Sequence, residues 1–171
     1  MSSESLPLLY VAVLFGLLVV AAVVIFQQVF KTRRLDSSLN RLQSKLNKEK
    51  GTGLEYYELG SVQLDKRLYS QAIVNLQKAI KAKDIEGPTL APVYNALGYA
   101  YFAQEKFDQA MKNYKEALKL LPDYVTALNN LGHTYERKQI ANKALECYDE
   151  ALRLEPGNAT AKRRSEALKN V

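Results

Sequence analysis

Tyr94-x-x-Leu97-Gly98-x-x-Tyr101, followed by Ala110-x-x-x-Tyr114 and Pro122, recurs 34 residues further on as Leu128-x-x-Leu131-Gly132-x-x-Tyr135, Ala144-x-x-x-Tyr148 and Pro156. A weaker copy lies upstream as Tyr56-x-x-Leu59-Gly60, with Ala72-x-x-x-Leu76 and Ala79. Its offset is 38, which places four extra residues near Gly87-Pro88-Thr89-Leu90. A 34-residue period with large, Leu-Gly and aromatic positions in this spacing describes a helix-turn-helix unit that stacks on copies of itself. One such pair leaves its apolar side in water, whereas stacked pairs share a core and leave a long concave surface. Binding is therefore the expected work of the repeated part.

In the first helix of each unit the glycine lets the neighbouring helix pack close, a use that offsets its poor helix propensity of about 1 kcal/mol. Ala110 and Ala117, like Ala144 and Ala151, put small residues where the second helix crosses the first. Helices are predicted near residues 54–66 and 69–83 in the first unit. The second unit opens with Thr89 or Leu90 at its cap and Pro92 in the first turn, where a missing N–H costs nothing. Pro122-Asp123 and Pro156-Gly157-Asn158 stop the preceding helices. This pattern resembles the tetratricopeptide repeat. The resemblance implies an all-α solenoid of three repeats, over residues 53–86, 91–124 and 125–158, with an insertion loop at 87–90. Residues 159–171, rich in Ala, Lys and Arg, read as the polar capping helix that closes the stack.

From Leu6 to Phe26 there are 21 residues without a charge. At 1.5 Å per residue a helix of that length spans the roughly 30 Å hydrocarbon core of a bilayer. The expectation is a tail over residues 1–5 and a single transmembrane helix over 6–30. A cleaved signal peptide would carry a basic start and a small-x-small cleavage site, but only Glu4 precedes the run and Gln27-Gln28-Val29-Phe30 follows it. Lys31, Arg33 and Arg34 come directly after the span, so the N-terminus is expected to cross and the bulk of the chain to stay in the cytoplasm or its organellar equivalent. The single cysteine, Cys147, excludes an internal disulfide, fits a reducing compartment and reads as a small packing residue. On this topology the sequon Asn158-Ala159-Thr160 never meets the glycosylation machinery.

The net charge of +6 is unevenly spread. Residues 31–50 hold seven Lys or Arg against Asp36 and Glu49, whereas residues 51–171 hold 17 against 15 acidic groups. The excess belongs to a basic stalk over residues 31–52, which argues against a nucleic-acid-binding face on the repeats. Leu35, Leu39, Leu42 and Leu46 are spaced 4, 3 and 4, the a/d pattern of a helix. Three uses of that stripe compete: a short coiled coil between two copies, packing against the first repeat, or lying along anionic headgroups. Fewer than two full heptads disfavours the first. Gly51-Thr52-Gly53 then breaks the helix and reads as a hinge.

Placing the first helix of each repeat on a 100° wheel puts positions 2, 5, 9, 12 and 13 opposite the core. These are Leu54, Tyr57, Ser61, Leu64 and Asp65; Pro92, Asn95, Tyr99, Phe102 and Ala103; and Thr126, Asn129, His133, Glu136 and Arg137. Asn95 and Asn129 hold the same position in successive repeats, and an amide both donates and accepts, so each suits the backbone of an extended peptide. Tyr57, Tyr99 and Phe102 add aromatic area. His133, the only histidine, has neither cysteines nor paired carboxylates for a metal site nor a nucleophile to activate, and reads as a groove contact. No phosphate-cradling loop, metal spacing or nucleophile arrangement occurs, so neither an enzyme nor a cofactor is expected.

Tetratricopeptide domains that dock chaperone tails hold a carboxylate with basic and Asn residues on this surface. The matching positions here are Tyr57, Ser61, Tyr99, Thr126 and Asn130, which lack the Lys and Arg of that clamp. The whole chain, as tail, span, basic stalk and repeats, resembles the membrane-anchored tetratricopeptide family of cyanobacteria and red-algal plastids that assists photosystem I assembly. That resemblance implies a thylakoid location, a cytoplasmic or stromal repeat domain, and photosystem I subunits as partners. The alternatives are a general scaffold or a non-catalytic regulatory subunit of another membrane complex, in a bacterial inner membrane. Neither nucleic acid nor a small-molecule substrate is expected as a partner.

Overall fold

The computed structural model describes residues 5–170, so most of the expected tail and Val171 lie outside the described residues. Its helices are α1 (Ser5–Lys48), α2 (Gly53–Asp65), α3 (Tyr69–Ala82), α4 (Ala91–Ala103), α5 (Phe107–Leu120), α6 (Val125–Arg137), α7 (Ala141–Leu154) and α8 (Ala159–Lys169). A 3-10 turn over Gly87–Leu90 leads straight into α4, and no strand occurs among the described residues. The chain divides into two compact units between Arg41 and Leu42.

The first unit is the greater part of α1. It is long and apolar enough to cross a membrane, and its large apolar side chains from Tyr10 to Phe30 are exposed. After Pro7 in its first turn α1 has no proline and Gly16 as its one glycine, so the helix continues without a break.

The second unit runs from the end of α1 through α8, each helix packing chiefly on its neighbour in sequence. Leu42 is buried, and Leu46 lies against Gly51 and beside Tyr56 and Leu59. Of the three uses of the leucine stripe, packing against the first repeat is the one adopted by these two leucines. The chain breaks after Lys48 as expected, yet the break is bonded rather than a free hinge. Thr52 caps α2 through a reciprocal box with Glu55, and the Gly53 N–H donates to both carboxylate oxygens of Asp84 at 2.9 Å.

Inside each pair the two helices are joined by one recurring turn. Arg67, Glu105 and Gln139 all sit at φ near 59°, and these left-handed residues keep the 38 and 34 offsets of the repeats. The next residue reaches back across the turn: Leu68 N–H to Gln63 O at 2.8 Å, Lys106 to Tyr101 at 3.0 Å and Ile140 to Tyr135 at 2.9 Å. With the shorter bonds from Arg67, Glu105 and Gln139, this is the Schellman closure, formed here without glycine. It satisfies the last carbonyls of α2, α4 and α6 and turns the chain antiparallel.

The core follows the repeat positions. Leu59, Leu97 and Leu131 are buried, and Ala72, Ala79, Ala110, Ala117, Ala144 and Ala151 are all at most 1% exposed. Gly60 faces Leu76, Gly98 faces Tyr114 and Gly132 faces Tyr148. Ala161 and Ser165 bury one side of α8 against this stack, and Asn158 caps α8 by accepting from Ala161 N–H at 2.9 Å. Cys147 is buried and its thiol is pushed up to about 11, chiefly by burial, which keeps it an inert packing group.

Burial holds the phenols of Tyr114 and Tyr148 above the ordinary tyrosine value, with Glu136 adding to the effect at Tyr148. The unfolded chain releases these protons near pH 10 and the folded chain keeps them, so above that pH the unfolded state binds fewer protons. The raised Cys147 thiol adds the same effect from about pH 8.5, where an unfolded thiol releases its proton, so stability is full below about pH 8.5 and falls as the pH rises, more steeply above about pH 10. Thermal melts followed by circular dichroism are expected to hold steady from about pH 7 to 8, decline above that and drop further past about pH 10; a melt that is flat to pH 11 would refute this.

Candidate protein-binding hollow

The inner helices of the first two repeats, α2 and α4, diverge around a hollow of about 410 Å³. Tyr57, Ser61 and Leu64 line it from α2, Asn95, Ala96 and Tyr99 from α4, and Asn130 from α6. Asp65, Arg67 and Tyr69 also line it. Five of the eight residues expected in the groove are thus gathered in one place: Tyr57, Ser61, Asn95, Tyr99 and Asn130.

The polar groups here divide into spent and idle. Asn130 Nδ2 donates to Asn95 Oδ1 at 3.0 Å, which ties α6 to α4. Ser61 Oγ donates to the Tyr57 carbonyl at 2.9 Å. The hydroxyls of Tyr57, Tyr69 and Tyr99 have no hydrogen-bond partner among the described residues. Tyr124 stands beside Tyr57 and Asn95, and its phenol is raised, mainly by burial.

Of the other three expected residues, Phe102 lies at the end of α4 and Asn129 and His133 lie on α6. The Phe102 ring meets His133 at 4.7 Å and Phe107 at 5.6 Å, with the Arg137 guanidinium 5.9 Å and 5.1 Å from the two phenylalanine rings. His133 is held below its ordinary value, first by burial and then by Arg164, so it is neutral at pH 7. Asn129 Nδ2 donates to Asn158 Oδ1 at 3.2 Å, and its own Oδ1 is buried without a partner. Glu136 accepts from Tyr148 at 2.6 Å and from Arg164 at 2.8 Å. Residues of the last loop and α8 therefore engage the inner positions of α6, while the Tyr57 and Tyr99 hydroxyls of α2 and α4 keep no partner among the described residues.

Tyr69, Arg67 and Tyr124 were not among the expected residues. All three sit outside the first helices, so a wheel drawn on those helices passes over them. Their signal was positional: each flanks a helix end, Arg67 and Tyr69 lining the hollow and Tyr124 standing beside Tyr57 and Asn95.

Three stacked helical hairpins with an aromatic hollow of no net charge define a tetratricopeptide protein, a class of protein-interaction scaffolds. The family model described as "TPR repeat" matches residues 98–139, and that described as "Tetratricopeptide repeat" matches residues 125–158. Among solved structures, a crystal structure of MamA aligns with a TM-score of 0.74 and 23% identity over 82% of this chain and 80% of that one, a likeness of fold. The ycf37 protein of Cyanophora paradoxa is 38% identical over 117 residues, covering 67% of this chain and 68% of that protein. The tetratricopeptide repeat domain-containing protein PYG7, chloroplastic, of Arabidopsis thaliana is 40% identical over 123 residues, 72% of this chain but 41% of its own length. The chain belongs to the ycf37 family of tetratricopeptide repeat proteins, as its sequence resemblance implied.

Proposed function

We propose that the protein is a membrane-tethered scaffold that holds exposed segments of photosystem I subunits during assembly or stabilisation of that complex in the thylakoid membrane. The observation that carries this is the hollow of Tyr57, Asn95 and Tyr99, in a chain that also holds an apolar helix of membrane-spanning length. The span over residues 6–30 confines the repeats to within tens of Å of the bilayer and raises their concentration near membrane-inserted subunits. Lys31, Arg33 and Arg34 support an orientation with the repeats on the cytoplasmic or stromal side. The chloroplastic relative supports a photosynthetic membrane.

The test is capture. With a photocrosslinking phenylalanine at position 99, illumination of native membranes is expected to recover photosystem I subunits. Asn95→Ala combined with Tyr99→Ala is expected to reduce their co-purification several-fold while helicity stays unchanged. Recovery of unrelated proteins alone, or undiminished co-purification, would overturn the reading.

A further inference from the structure

We infer that the hollow selects an uncharged, proline-rich segment of its partner, bound in the extended polyproline conformation; this rests on reading the hollow as the partner site. The first ground is charge. Asp65 and Arg67 are the only charged residues among those lining it, and they have opposite signs. An acidic or basic segment entering here would lose hydration and meet one like charge for each counter-charge, so neither sign gains a net attraction.

The second ground is the sign of the hydrogen bonding left over. Tyr57, Tyr69 and Tyr99 each present an idle phenol around the hollow, and a phenol has a hydrogen to donate. The Ser61 hydroxyl hydrogen and an Asn130 amide hydrogen are already used. A polyproline segment suits the three phenol donors, because it has no internal hydrogen bonds and its carbonyls point outward, and proline has no N–H that needs an acceptor. The third ground is shape and entropy. Tyr99 is 43% exposed, and with Tyr57 and Tyr69 it offers flat rings on which pyrrolidine rings pack. A segment already extended loses little freedom on binding.

The experiment uses the full chain in lipid nanodiscs and three end-capped fluorescent peptides of about ten residues, ~31 Å in the polyproline form. One is made of Pro, Ala and Leu, one has every proline replaced by Ala or Ser, and one keeps the prolines and adds four glutamates. The neutral proline peptide is expected to bind at least tenfold more tightly than either of the others. Tyr57→Phe with Tyr99→Phe keeps both rings and removes two donors, and is expected to weaken that binding about tenfold or more, with the circular dichroism spectrum unchanged. No binding of the proline peptide, equal binding of the three, a preference for the acidic one, or full affinity in the double variant would overturn the inference. The position-99 crosslink separates this from the scaffold reading. Photosystem I subunits captured through proline-free segments would sink the proline preference alone, whereas tight proline-peptide binding with no membrane subunit captured would sink the scaffold reading alone.

Discussion

Tyr148→Ala lowers the unfolding free energy of the repeat unit by about 3–5 kcal/mol, the range for emptying a fully buried aromatic site. Tyr148 is 0% exposed, its ring faces Gly132, and its hydroxyl donates to Glu136 Oε1 at 2.6 Å. Two losses combine, because the cavity removes the ring's contacts and Glu136 is left with Arg164 alone. Tyr148→Phe separates them: the ring stays and only a hydrogen bond to a carboxylate goes, for a loss of about 1.5–3 kcal/mol. In a unit of this size the alanine loss lowers Tm by about 10 °C or more, and the phenylalanine variant melts between it and the parent protein. Melting of the alanine variant within a degree or two of the parent would show that this ring does not hold α7 to α6.

Gly98→Ala is expected to destabilise by about 1–2 kcal/mol, although alanine is the better helix former by about 1 kcal/mol. The new Cβ would stand 2.7 Å from Tyr114 Cε1 and 2.8 Å from Cδ1. Tyr114 is 1% exposed, so its ring has no free space to swing into and α4 must move away from α5. Gly157→Ala is the control, since nothing lies within 4 Å of that position. Combining Gly98→Ala with Tyr114→Ala removes the clash together with the ring, so the double variant loses less than the sum of the two single losses. A Tm raised by Gly98→Ala would mean that helix propensity outweighs the close approach and that the glycine is not there for packing.

The repeat positions were legible because a large, Leu-Gly, aromatic and Ala pattern has one physical reading when it recurs every 34 residues. Leu97, Gly98, Ala110 and Tyr114 occupy in α4 and α5 the packing roles that the pattern assigns them. The helix-joining turns were not legible. Arg67, Glu105 and Gln139 are left-handed residues with no glycine to mark them, and what closes each turn is a pair of backbone hydrogen bonds that any side chain permits.

The sequence by itself determined the all-α class, the stacking period, the family and the apolar helix at its start, because each of these is written in spacing along one chain. Tertiary structure alone decided which inner residues meet. Asn95 and Asn129 share a repeat position, yet Asn95 bonds to Asn130 and Asn129 bonds to Asn158. Tyr69 lines the hollow from outside the first helices, and Tyr124 stands beside its Tyr57 and Asn95. The reason is geometric: periodicity orients a side chain on its own helix, whereas the rotation between successive repeats sets which neighbour it faces, and that rotation comes from how the whole stack packs.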